Sequence, residues 1–424
     1  MLQIQVLRDQ REKAIEGLLK RGIANPDELI AAVLMHGDRR KQSQQKMDDL
    51  KANSNSLSRQ IGELMKAGKA EEAAKLREEV SQAKDSIKQL EAEMEEASTA
   101  LTKALYQIPN VPHQKVPKGH GAQENLEVNK WGAIPELTTE ALPQWELIKK
   151  YDIIDFDLGI KISGAGFPVY KGKGAKLQRA LINFFLDEAT KAGYREIQPP
   201  IVINEASGYG TGQLPDKESQ MYHITADNLF LIPTAEVPIT NLYRDVILSD
   251  KELPIMNVGY TPCFRREAGS WGAHVRGLNR LHQFDKVEIV QIRKPSESME
   301  VLEQMTKYVE SLLEKLELPF RRMLLCGGDM GFNSAITYDL EVYSAAQKMW
   351  LEVSSVSNFE TYQANRLKLR YKNSDGKTEL LHTLNGSALA LPRIVAAMLE
   401  NNQKSGYISI PKVLLPYTGF DRID

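Results

Sequence analysis

Between about Asp38 and Tyr106, small and apolar residues recur at alternating steps of three and four. In the first half the positions are Met47, Leu50, Ser54, Leu57, Ile61 and Leu64. In the second they are Leu76, Val80, Ala83, Ile87, Leu90, Met94, Ala97, Leu101 and Ala104. Polar residues fill the other faces, which is the spacing of a coiled-coil seam. Lys66-Ala67-Gly68-Lys69 interrupts the two halves, and a glycine there suits a helix end. The pattern predicts an antiparallel two-helix hairpin. At about 1.5 Å per residue, helices of roughly 28 and 37 residues would reach about 40–55 Å.

Prolines at 109, 112 and 117, with Gly119 and Gly121, then stop the helical pattern. This divides the chain into an N-terminal unit at 1–106, carrying the arm at about 38–106, a linker at 107–120, and a body at 121–424. The body has another texture. Leu177, Leu181, Phe184 and Phe185 fall at helical spacing over Lys176–Ala192, with Gly193 as the stop. Ile197–Val202, Val287–Ile292 and Met349–Val353 read as strands separated by long loops. That predicts an α+β body built on an antiparallel sheet with flanking helices, not regular βαβ winding.

Composition changes this picture mainly by exclusion. A formal net charge of −2 rules out a protein basic over its whole surface, so nucleic-acid contact needs a local patch. From Arg39 to Lys66 there are seven basic residues against three acidic, and from Lys69 to Leu105 six against nine. Two cysteines exclude a disulfide framework, and with seven scattered histidines they show no zinc-ligand spacing. No uncharged apolar run approaches about 18 residues, and the charged start lacks a signal-peptide core, so no membrane partner is expected and the cytoplasm is.

The candidate chemistry lies in four segments. No phosphate loop of the G-x-x-x-x-G-K-[S/T] type and no G-x-G-x-x-G after a strand occurs. Instead, Phe264-Arg265-Arg266-Glu267-Ala268-Gly269-Ser270-Trp271-Gly272 leads to Arg276, Arg280, Phe284 and Glu288 between two strand-like runs. Arginine presents paired donors to phosphate oxygens, and an aromatic can stack on a purine. Leu384-Asn385-Gly386-Ser387-Ala388-Leu389-Ala390-Leu391-Pro392-Arg393 runs into a helix through Glu400. Thr234-Ala235-Glu236 and Glu352-Val353-Ser354-Ser355 complete the set, the latter offering hard oxygen donors suited to Mg²⁺.

In this order the segments resemble the class II aminoacyl-tRNA synthetases. Gly193–Pro200 is similar to the first signature of that class, Phe264–Glu267 to the second, and the segment ending at Arg393 to the third. Within the class, the arm, the I-P-N-x-P-H linker, G-T-G-Q-L-P at Gly210–Pro215, T-A-E, E-V-S-S and N-G-S resemble the bacterial-type seryl-tRNA synthetases, over essentially the whole chain.

The resemblance implies a class II body with a tRNA-binding N-terminal arm, a homodimer meeting around Leu177–Pro200, and L-serine, ATP and serine tRNA as substrates, with Mg²⁺ as cofactor and no zinc. Selenocysteine tRNA is a further partner it leaves open. It implies that Thr234, Ala235 and Glu236 hold the serine amino group while Glu288, Asn385 and Ser387 line the hydroxyl pocket. Arg265 would bridge the serine carboxylate and the α-phosphate, and Arg393 would meet the γ-phosphate and the adenine, these two carrying catalysis. Glu267 and Phe284 would meet the adenine, Arg276 or Arg280 the outer phosphates, and Glu352 and Ser355 would hold Mg²⁺, with Val353 and Ser354 beside them in the ATP site. Arg266 lies in the same segment where the family commonly has serine, and strand alternation predicts that it turns away from the ligand. Two other readings compete: a paralogue loading an amino acid onto a carrier protein, which should lack the arm, and a coiled-coil interaction protein, which leaves the arginine and glycine pattern unexplained.

Overall fold

The structure is a computed structural model and describes residues 1–217, 219–267 and 276–424. The chain separates into two compact units, Met1–Leu19 with Ile23–Pro109, and Lys20–Gly22 with Asn110–Asp424. Among the described residues no helix is long and apolar enough to cross a membrane.

The first unit is dominated by helix α1, Pro26–Lys66, and helix α2, Ala70–Gln107, packed against each other as a hairpin. Gly68, at φ +74°, takes the left-handed turn between them. Met47, Ala83, Ala97 and Leu101 are buried along the seam, and Leu57, Ile61, Leu64 and Leu76 are half-buried. Arg39 reaches Glu96 at 3.2 Å and Lys51 reaches Glu91 at 3.1 Å, exposed ion pairs that bridge the two antiparallel helices. Helix α1 starts twelve residues before Asp38, with Pro26 in its first turn. Its opening turns bury Ile30 and Val33, within a packing wider than the two-stranded seam, so the heptad pattern does not extend there.

The second unit is built on an eight-stranded sheet: β1 Leu126–Trp131, β2 Arg195–Glu196, β3 Ile255–Phe264, β4 Gln283–Arg293, β5 Phe320–Leu324, β6 Ile336–Ser344, β7 Met349–Asn358 and β8 His382–Ala390. The spatial order is β1-β5-β6-β7-β8-β4-β3-β2, antiparallel throughout except for the parallel pair β3–β2. The strand expected over Ile197–Val202 is interrupted: Ile197–Ile201 is not strand, and a separate short strand begins at Val202 and runs to Asn204. Pro199 and Pro200 remove two ladder donors just beyond Ile197, whose N–H still donates to Val258 O at 2.8 Å. The segment Leu384–Arg393 is strand as far as Ala390 and helix only from Leu391.

Helices Gly172–Lys191, Ser298–Lys315 and Leu391–Asn401 (α3, α4 and α5) cover one face of the sheet. Leu177, Phe184, Val309 and Ile394 pack there against Val287, Ile289, Leu384 and Ala388. Gly193 ends α3 at φ +91°, its N–H donating to Thr190 O at 3.0 Å. On β4 and β8 the alternate residues face the other way. Glu288 is paired with Ser387, Val290 with Asn385 and Ile292 with Thr383, so one sheet face is apolar core and the other carries a stripe of polar side chains.

Candidate active site

The polar stripe begins on β4, where period-two alternation places Phe284, Lys286 and Glu288 on one face. Lys286 Nζ lies 2.6 Å from Glu288 Oε2, both side chains nearly inaccessible to water. Ser387 Oγ donates to the same Glu288 oxygen at 3.3 Å. Asn385 is buried nearby, and among the described residues its Nδ2 has no partner. A buried donor left unpaired costs about 1–3 kcal/mol, so this atom is a point at which a ligand oxygen would gain.

Glu236, the first residue of a short helix at Glu236–Asn241, closes the other side. Its backbone N–H donates to Thr234 Oγ1 at 3.3 Å. Gln363 Nε2 donates to Glu236 Oε1 at 2.6 Å and is itself anchored, through Oε1, by Thr383 Oγ1 at 2.7 Å. Burial pushes the Glu236 carboxyl up to about 7, and the neighbouring Glu288 charge adds to the rise. Two buried acids thus lie close enough for their charges to interact, with Lys286 balancing Glu288, so Glu236 is the carboxyl still able to meet a cationic guest.

Strands β3 and β4 form a hairpin in which Phe264 pairs with Gln283. The chain beyond Phe264 leaves the strand, but Arg265 N still donates to His282 O at 2.9 Å. The Arg265 guanidinium lies 5.3 Å from the Phe284 ring centre. Because the strand ends at Phe264, alternation is not what directs Arg266: it is exposed, its N–H bonding Gln220 O at 2.9 Å. Glu267 pairs with Arg280, while Arg276 sits 4.7 Å over Trp145 and 3.9 Å from Glu146. Of the two candidate arginines, Arg280 is therefore joined directly to the 265–267 segment. Ala268–Gly272 of the glycine-rich loop fall outside the described residues.

On β7 the pairing with β6 slips by one residue: Leu340 faces Ser354, but Glu341 faces Glu352. Val353 is the extra residue, a β-bulge. Residues three apart on a regular strand point to opposite faces; the bulge brings Glu352 and Ser355 to the same one, and Ser355 Oγ donates to Glu352 Oε1 at 3.3 Å. Val353 is buried in the core, and Ser354 Oγ donates to Ser387 O at 2.6 Å, tying this strand to the pocket. Arg393, in the first turn of α5, donates through Nη1 to Glu352 O at 2.7 Å and through Nε to Asn279 O at 3.0 Å.

Asp339 stands opposite Ser355, buried, with Oδ1 unpartnered among the described residues. Burial raises its carboxyl well above the usual range, with a further push from Glu352. These hard oxygens, one of them an orphaned carboxylate atom, fit Mg²⁺.

The structure thus gathers Thr234, Glu236, Glu288, Asn385, Ser387 and Arg265 into one neighbourhood, and Glu352, Ser355 and Arg393 into another on the same sheet face. Lys286, Gln363 and Asp339 are additions. Lys286 had a signal, two residues before Glu288 on a strand. Gln363 had none, its partner lying 127 residues away.

Residues 1–112 match the seryl-tRNA synthetase N-terminal domain, and residues 222–402 match the tRNA synthetase class II core domain (G, H, P, S and T). A serine–tRNA ligase from Salinibacter ruber is 48% identical over 100% of this chain and 99% of its own length. Another, from Akkermansia muciniphila, is 45% identical over 100% and 99%. The crystal structure of seryl-tRNA synthetase from Pyrococcus horikoshii complexed with ATP superposes with a TM-score of 0.92 at 32% identity, over 100% of this chain and 99% of that one. The antiparallel sheet with its flanking helices is the class II fold, and the chain belongs to the seryl-tRNA synthetase family.

Proposed function

We propose that this chain activates L-serine with ATP to seryl-adenylate and transfers the seryl group to the 3′ end of serine tRNA. The observation that carries this reading is the burial of two acids, Glu236 and Glu288, near enough that the charges of Glu288 and Arg265 both act on Glu236. A serine ammonium sits between Thr234, Glu236 and the main chain at Ala235, and the hydroxyl donates to Glu288 beside Asn385 and Ser387. Alanine or glycine in that pocket forgoes the hydroxyl's bonds to Glu288 and to the Asn385 Nδ2, which is how a polar site rejects a smaller analogue.

Arg265 bridges the serine carboxylate and the α-phosphate, so attack on phosphorus follows from positioning and charge neutralisation, without a general base. Phe284 and Arg393 sandwich the adenine, and Arg280 takes the outer phosphates on release from Glu267. Glu352 and Ser355 would hold Mg²⁺, which supplies charge neutralisation on the phosphate oxygens when bound. The N-terminal hairpin grips the tRNA, including selenocysteine tRNA where it shares the same shape. The protein acts in the cytoplasm as a homodimer joined around Leu177–Pro200, and a monomeric mass by light scattering at micromolar concentration would overturn that state. A carrier-protein ligase is disfavoured because the chain keeps the arm and matches the seryl N-terminal domain.

The pocket is tested by Glu288→Ala in serine-dependent ATP–pyrophosphate exchange. A hydrogen bond to a charged acceptor is worth about 1.5–3 kcal/mol, so kcat/KM for serine should fall roughly 10–150-fold with the KM for ATP unchanged. Near-normal serine kcat/KM would place the hydroxyl pocket elsewhere.

A further inference from the structure

Glu400 is fully buried on α5, and among the described residues its hydrogen-bond donors are all neutral. Gln144 N and Gln347 Nε2 donate to Oε1 at 2.7 and 2.8 Å, and Ser344 Oγ and Gln347 N donate to Oε2, the latter at 3.4 Å. Four donors fill the acceptor sites of one carboxylate. An ion buried without a countercharge is costly, and an apolar side chain would suit the core better. Stability alone therefore gives no reason for this residue.

Its donors lead elsewhere. The Gln144 side chain holds the backbone at Arg276 and Leu278, donating to Arg276 O at 3.0 Å and accepting from Leu278 N at 3.3 Å. Gln347 Oε1 accepts from Asn279 Nδ2 at 2.8 Å, and Asn279 O accepts from Arg393 Nε at 3.0 Å. Arg393 lies seven residues before Glu400, two turns back on the same helix face. The links close a ring: Glu400, Gln347, Asn279, Arg393 and the helix itself.

We infer that Glu400 is a positioning residue for ATP, aiming Arg393 through Gln347 and Asn279 while Gln144 holds the strap that carries Arg276 and Arg280. This rests on the assignment of Arg393 to ATP. A displacement of about 1 Å at such a group costs on the order of 10²-fold in rate. Glutamine at 400 keeps the size but offers one acceptor oxygen, turning an N–H₂ toward donors.

The test is ATP–pyrophosphate exchange on the full-length protein with Glu400→Gln, Arg393→Ala and the double variant. Glu400→Gln should raise the KM for ATP about tenfold, with the KM for serine within about twofold, and this increase should shrink below about threefold in the Arg393→Ala background. An equal increase in both backgrounds would make Glu400 merely structural and overturn the inference. Should Glu400→Gln not fold, Gln347→Ala cuts the same link and must raise the KM for ATP on its own. An unchanged value there also overturns it. If Arg393→Ala alone left ATP binding intact, the ATP assignment would fail instead, whatever Glu400 did.

Discussion

The arm and the catalytic body obtain their form from different kinds of burial. In the arm, Leu57, Ile61, Leu64 and Leu76 remain partly in water, and each packs only across one narrow seam. In the body, Leu340, Ile394 and Leu399 have no exposure at all and join one continuous core. Cross-helix ion pairs such as Lys51–Glu91 are about half exposed, whereas Lys286–Glu288 is sealed from solvent. The arm offers surface with many polar groups and little depth. The body offers depth, in which a few polar groups acquire unusual chemistry.

That division is most severely tested by removing the arm. Replacing about Arg40–Tyr106 with a short Gly/Ser linker should leave serine-dependent exchange within about threefold. Charging of tRNA should fall by about 10³-fold or more, because phosphate contacts and shape reading go together. Arg39 and Lys51 are already engaged with Glu96 and Glu91. The phosphate contacts are therefore expected from Arg40, Lys41, Lys46, Arg59 and Lys66, and charging should weaken as salt rises. Equal charging by intact and armless proteins would return the hairpin to the role of a spacer.

A smaller effect compares the two packings directly. Leu399→Ala empties a fully buried site and should cost about 2–5 kcal/mol, whereas Leu57→Ala on the half-exposed seam should cost about 1 kcal/mol or less. Urea unfolding of the full-length variants, followed by helical circular dichroism, reads both. Equal losses would mean that the seam is as tightly enclosed as the core.

The same contrast explains what was legible beforehand. The arm's helices, their polarity pattern and the turn at Gly68 follow from neighbours three and four apart, so a local pattern suffices. Its start at Pro26 was hidden because the heptads lapse over the first turns, where this helix packs on the short helix Ile4–Asp9. In the body, Arg265, Glu288 and Arg393 were accessible through short motifs. The partnership of Glu236 with Gln363, and of Asp339 with Ser355, exists only after distant segments pair. Glu352 and Ser355 face the same way because of a bulge at Val353, and nothing in a tetrapeptide announces a slipped register. Nor does the run Ile197–Val202, with three β-branched residues and two prolines, disclose that the prolines interrupt the strand before Val202.

The mildest prediction separates the regions by what disturbs them, salt for the arm and pH for the body. Arm ion pairs are exposed and screened, while Glu236 is buried and its carboxyl titrates near 7. A folded-state value above the ordinary one means that the neutral form suits the pocket. The stability it contributes is complete below about pH 4.5 and is lost as pH rises through about 7. Binding an ammonium requires the opposite form, the carboxylate. The free enzyme therefore has to lose that proton before serine is held, so kcat/KM for serine in the exchange reaction should fall about tenfold per pH unit below 7. Between pH 7.5 and 6 the drop should be roughly tenfold. In Glu236→Gln this limb should vanish, leaving a flat and lower profile, and added salt should not remove it from the parent. A parent profile flat from pH 5.5 to 8 would show that the serine ammonium pairs with some other group.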